Sequence, residues 1–203
     1  MGLRFLEDMR QSGGIHVMGF IIGIWAAILK VWIRIGLAIF PSTIHPMVVH
    51  FVIAIFYVAL FADIVARLAK QPDHFWDQSS FWLLVLAFIA GVVTAATGVI
   101  AEQYVKWTPT TLRLLSLHQT YAVLSGVLAV AALGARLIAR YPRAARRGWS
   151  LAGTGRGRST GLSLLLLIAT VIMVSMTGSV GGTMVFQYGV GVHHVTFRSP
   201  SHG

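Results

Sequence analysis

The sequence predicts an all-α fold: a polytopic transmembrane helical bundle with four core spans and an N-terminal helix that is either spanning or interfacial. Three observations predict it. Hydrophobic residues make up 56% of the 203 residues and charged residues 11%, where a soluble domain carries roughly a quarter charged residues. The mean hydropathy is strongly positive. Several apolar runs reach the length of about 20 residues that a helix needs to cross a bilayer. The expected organisation is a tail and extra hydrophobic helix over 1–43, a four-helix membrane domain over 44–192 and a polar tail over 193–203.

Four spans can be delimited in order. The first core span runs from Pro46 to Leu68, with proline suited to a first helical turn. The second runs from Phe81 to Ala101, the third from Leu112 to Ile138 and the fourth from Gly161 to Val180. Small residues punctuate them, as helix packing in lipid requires. Gly91, Ala95 and Gly98 form one such stripe, and Gly178 and Gly182 another. Ahead of these lies Ile15 to Phe40, which is apolar but interrupted by Lys30 and Arg34. His16, Gly19, Gly23, Ala27, Lys30 and Arg34 share one helix face by their spacing. The uncharged run Val17 to Leu29 favours a span with the two cations snorkelling at its end. The alternative is an amphipathic helix lying in the interface.

The net charge is +10. In a chain this apolar, basic residues mark cytoplasmic loops, and no nucleic-acid partner is expected. Arg67 and Lys70 follow the first core span. Arg140, Arg143, Arg146, Arg147, Arg156 and Arg158 fill the connection between the third and fourth, with Arg136 just before it. The opposite loops carry only Lys106 and Arg113, and the tail only Arg198. The expected setting is a bacterial inner membrane, with the third-to-fourth connection cytoplasmic and the C-terminus periplasmic. Lys30 and Arg34 then sit on the less favoured side if the first segment spans. The segment Gly153 to Thr160 imitates a phosphate-binding loop, but it lacks the Lys-Ser/Thr ending and a preceding strand, so it reads as a basic linker.

Cysteine is absent, which excludes disulfides, thiolate-held iron–sulfur clusters and covalent c-type haem. No cleavable signal is expected, because Met1 to Gly14 is polar and mixed in charge. Polar groups inside spans are costly and so mark function. The inferred topology gathers His45, His50, Glu102, His118, Tyr188, His193 and His194 at the periplasmic side, and leaves Asp63 as the comparable group in the other half. His45, ahead of Pro46, reads as a residue near the helix cap. His193 and His194 read as solvated tail residues. His50 and His118, flanked by long apolar sequence, fall at similar depth below Pro46 and Leu112 by the helical rise. They are expected to face each other, as axial ligands of haem b or in one polar network. Arg113, Lys106 and Arg34 are candidates to pair with haem propionates.

Ile44-His-Pro-Met-Val-Val-His-Phe51 resembles the signature of a bacterial membrane protein family called domain of unknown function 2231. Ala96-Thr-Gly-Val-Ile-Ala-Glu102, Leu117-His118 and Gly181-Gly-Thr-Met-Val-Phe-Gln-Tyr-Gly-Val-Gly-Val192 resemble its later motifs in the same order. Phe186 stands at its usual tyrosine, and Tyr188 at a position where some members have histidine. The resemblance implies a four-helix membrane domain over Ile44 to Val192. It also implies an association with Rieske-type and cytochrome c modules.

Three functions are therefore expected as alternatives. One is a membrane electron-transfer subunit binding haem b, with His50 and His118 as ligands and Arg113 and Tyr188 nearby. It would serve a larger membrane redox complex or a periplasmic cytochrome c or Rieske-type carrier. The second is a cofactor-free accessory subunit of a respiratory or photosynthetic complex. The third is a copper or zinc protein using His45, His50, Glu102 and His118, since imidazoles suit those metals. No nucleophile–base set for hydrolysis stands out, so an enzyme acting alone is not expected.

Overall fold

The computed structural model describes residues 14–69, 74–140 and 160–192. All regular structure among them is helical: α1 (Gly14–Ile39), α2 (Ile44–Leu68), α3 (His74–Ala101), a single 3-10 turn (Glu102–Tyr104), α4 (Pro109–Arg140) and α5 (Gly161–Phe186). Each of the five α-helices is long and apolar enough to cross a membrane. The Arg143–Arg158 cluster, the Gly153–Ser159 linker, Lys70 and the tail histidines His193 and His194 lie outside the described residues.

The chain divides into two compact units, Met1–Pro41 and Ser42–Gly203. The first contains α1, whose Gly19–Ile39 portion has the length and hydropathy of a span. The second is the four-helix bundle.

Local chemistry sets the helix ends. Thr108 starts α4: the Thr111 N–H donates to the Thr108 hydroxyl, and the Thr108 N–H donates to the Thr111 hydroxyl. Pro109 then occupies the first helical position, where its missing N–H costs nothing. This cap starts α4 before Leu112, the boundary that hydropathy suggests. Thr160 caps α5 by accepting from the Ser163 N–H. At the other end of α5, Val190 N–H reaches Met184 O and Gly189 N–H reaches Val185 O. Gly189 supplies the left-handed backbone (φ 63°) that this ending needs.

Alanines do much of the packing. Ala59, Ala62, Ala87, Ala129 and Ala132 are buried where helix backbones approach, and Val52, Phe56, Leu84, Leu167, Val171 and Val174 fill the space between. Helix α2 packs most extensively on α3, and α4 on α5; α2–α5 and α3–α4 contacts join the two pairs. Large apolar side chains such as Phe51, Val58, Leu86, Val127 and Leu165 point outward. In water such surface would be a liability; in a bilayer it is the solvated face.

At one end of the bundle the pairs are tied by charge. Arg136 of α4 is buried and pairs with Asp63 of α2, which is fully buried. Its other guanidinium nitrogen donates to Ser80 Oγ of α3 at 2.9 Å, and Asp77 lies 3.5 Å away. Ser80 in turn donates to Ala59 O. Arg67 stands 3.6 Å from Asp63 and donates to Thr160 O at the head of α5. Four helices thus meet in one polar network. By sequence, Arg136 was grouped with the loop cations. The structure corrects this, because in lipid a buried arginine requires partners, and Asp63, Asp77 and Ser80 supply them.

Candidate functional site

The opposite end of the bundle holds two histidines. His45 lies in the first turn of α2 and His118 lies nine residues into α4. Their ring centroids are 6.1 Å apart, with planes inclined at 76°.

Each ring is held in the same way. His45 Nδ1 lies 3.0 Å from Thr94 O on α3, and His118 Nδ1 lies 3.0 Å from Thr177 O on α5. A carbonyl only accepts, so each Nδ1 carries the proton and donates. Four residues beyond each threonine stands a glycine, Gly98 or Gly181. A Cβ on Gly98 would come within 3.1 Å of the His45 ring, and one on Gly181 within 3.3 Å of the His118 ring. The glycines leave the space through which each imidazole reaches a helix carbonyl. Histidine on one helix, with Thr-x-x-x-Gly on its partner, therefore occurs twice, once in α2/α3 and once in α4/α5. The two helix pairs run in the same sense, so the site has local pseudo-two-fold character about the bundle axis.

Below the rings lies an apolar cavity of about 310 Å³, within the size range of small-molecule and cofactor sites. Helix α2 lines it with His45, Val49, Val52, Ile53 and Phe56. Helix α4 lines it with His118, Ala122, Ser125, Gly126 and Ala129, at the same intervals from its own histidine. The hydroxyls at its edge are committed: Thr94 to Ala90 O, Ser125 to Tyr121 O and Thr177 to Met173 O. Neither His45 Nε2 nor His118 Nε2 has a hydrogen-bond partner among the described residues. The lining therefore includes two imidazoles, each with an uncommitted Nε2, among side chains that are otherwise apolar or already hydrogen-bonded.

The family model described as a predicted membrane protein (DUF2231) matches residues 41–194. The chain belongs to this family. No curated protein and no solved structure matches it. The four DUF2231-like segments of the sequence converge here: the first contributes His45, the second Gly98, the third His118 and the fourth Gly181.

The expected partner of His118 was His50, and the structure brings His45 to that place instead. His50 is exposed, and its Nδ1 turns back to Pro46 O of its own helix. Five residues apart, the two histidines point about 140° apart around α2, so they do not share a face. His45 does lie near the cap, two residues after Thr43, but its ring bonds Thr94 O and borders the cavity, so it is more than a helix-end residue. Similar distances from the helix starts do not pair His50 with His118, because α2 and α4 do not start at one level. His118 is about 13 Å along α4 from Pro109 by the helical rise, yet it meets the first turn of α2, so α2 begins deeper. The interval His45, Val49, Val52, Phe56 was the signal that identifies the inward face.

The remaining candidates are dispersed. Glu102 Oε1 accepts from Gln119 Nε2 at 2.8 Å and its carbonyl accepts from the Trp107 indole. Glu102 thus pins the α3–α4 connection. Arg113 and Lys106 are exposed. Tyr188 is exposed beside the α5 ending and does not line the cavity. Among the described residues, no three His, Asp or Glu side chains gather as metal ligands, so His45, His50, Glu102 and His118 do not form one group.

Proposed function

We propose that this DUF2231 protein is an inner-membrane electron-transfer subunit that binds haem b between His45 and His118, near the periplasmic face. The observation that carries this reading is the pair of imidazoles at one cavity, each with Nδ1 fixed on a carbonyl and Nε2 left as a ligand. Metal-bound histidines characteristically donate their second ring nitrogen in this way, which fixes tautomer and orientation. A metal held by two imidazole nitrogens at about 2 Å each places the ring centroids roughly 6 Å apart. The 6.1 Å between the rings is of that size, and it is also the separation of two rings packed edge to face. The apolar, small-residue walls suit a flat hydrophobic macrocycle, and its carboxylates would turn toward the exposed Arg113 and Lys106, which do not line the cavity.

Bound haem would supply a one-electron couple whose potential depends on its axial ligands and on burial. The protein's own part is to orient the two rings, exclude water through the apolar walls and keep both imidazoles neutral donors. A larger membrane redox complex or a periplasmic cytochrome c or Rieske-type carrier is the proposed exchange partner. The test is the visible spectrum of the purified protein. A reduced-minus-oxidised haem b signal supports the reading. A colourless protein with no haem overturns it, leaving the imidazole–carbonyl contacts as helix staples of an accessory subunit.

A further inference from the structure

The wall between α3 and α4 differs from the other walls of the cavity. It is tied at both ends and open between them. At the histidine end, Gln119 of α4 bonds Glu102 just beyond α3. At the other end, Arg136 of α4 bonds Ser80 of α3. Between these ties the facing residues are too small to close the seam. Gly91 and Gly126 both line the cavity, and a Cβ added to either would meet nothing within 4 Å. Val92 of α3 and Val123 of α4 line the same cavity, yet are 56% and 66% exposed. A side chain that borders a cavity while standing mostly outside marks its rim. The rim is uncharged and lies between apolar outer faces, so what it opens onto is the acyl-chain region of the bilayer.

We propose that this seam is a lateral window through which the ligand of His45 and His118 enters from the lipid phase, not from the aqueous face. The proposal rests on the haem reading for the identity of that ligand. It adds the route and the residues that form it. A flat macrocycle with an apolar body partitions into lipid, and an apolar rim charges it no desolvation penalty. The rim also places the ligand's edge against the bilayer, within reach of partners that share the membrane.

The absence of cysteine allows a test in which one protein is compared with itself. In Val92→Cys/Val123→Cys, a reducible bis-thiosulfonate reagent bridges the rim of the full chain in liposomes. Haem partitioned into the vesicles is then offered, and uptake is followed by its Soret absorption. Bridging should slow uptake by an order of magnitude or more, and reductant should restore it. Uptake at equal rates before and after bridging overturns the proposal. A second arm needs no haem. A bimane fluorophore on Val123→Cys should be quenched by lipids brominated on their acyl chains and not by aqueous iodide; the reverse pattern overturns the window. If the unbridged, reduced protein takes up no haem, the cofactor reading fails, and the window then stands or falls on the quenching.

Discussion

Gly98 and His45 lie so close that a single methyl group on the glycine would touch the imidazole at 3.1 Å. This contact makes Gly98 a positioning residue: it determines whether the ring reaches Thr94 O. Gly181 stands in the same relation to His118 and Thr177 O.

Gly98→Val and Gly181→Val should therefore displace the rings. Overpacking of this kind costs about 1–3 kcal/mol, so the bundle should still assemble while haem content falls sharply. Gly134→Ala is the control, because a Cβ there meets nothing within 4 Å and the residue does not line the cavity. Haem per protein and thermal unfolding, measured on all three, separate loss of the site from loss of the fold. Equal haem content in Gly98→Val and Gly134→Ala would refute the positioning role.

Removing one partner of the buried pair Asp63–Arg136 should be costly. Arg136→Leu leaves Asp63 buried without its nearest cation, and breaking a buried pair in this way costs about 3–5 kcal/mol. The double variant Asp63→Leu/Arg136→Leu should recover part of that loss, since replacing both charges is milder than stranding one. Unfolding of the three proteins in mild detergent gives the comparison. A double variant as unstable as the sum of both singles would contradict the pairing.

Gly189 closes α5 with a left-handed backbone. Gly189→Val should destabilise by about 1–2 kcal/mol, the cost of that conformation for an L-residue. The loss should appear as earlier fraying of the α5 terminus in hydrogen exchange, with Gly134→Ala unchanged.

The topology carries its own test. Reporter fusions after Arg147 and after Gly203 should read opposite sides of the membrane, with the Arg147 fusion cytoplasmic, as the loop charges require. Fusions reading the same side would contradict it.

Much of this architecture was legible in the sequence because its signals are one-dimensional. Apolar runs bounded by charges gave five helices, but hydropathy alone misses their ends: α4 starts at Pro109, before the expected Leu112, and α5 runs to Phe186, past the expected Val180. What the sequence concealed depends on how helices sit against one another. His50 and His118 looked matched because their distances from apparent helix starts were similar, but α2 begins deeper than α4. The inward face was nevertheless written in the intervals: His45, Val49, Val52 and Phe56 repeat those of His118, Ala122, Ser125 and Ala129. Arg136 and Asp63 each looked ordinary alone, one as a loop cation and one as an isolated acid. They are 73 residues apart in sequence, and only packing reveals that they neutralise each other.

His45 and His118, not His50, are proposed to hold the cofactor. The deciding measurement is the reduced-minus-oxidised spectra of His45→Ala, His118→Ala and His50→Ala, purified in parallel and normalised to protein. The haem b signal should be lost in the first two and retained in His50→Ala, whose Nδ1 returns to its own helix. A signal that survives His45→Ala but vanishes in His50→Ala would contradict that proposal.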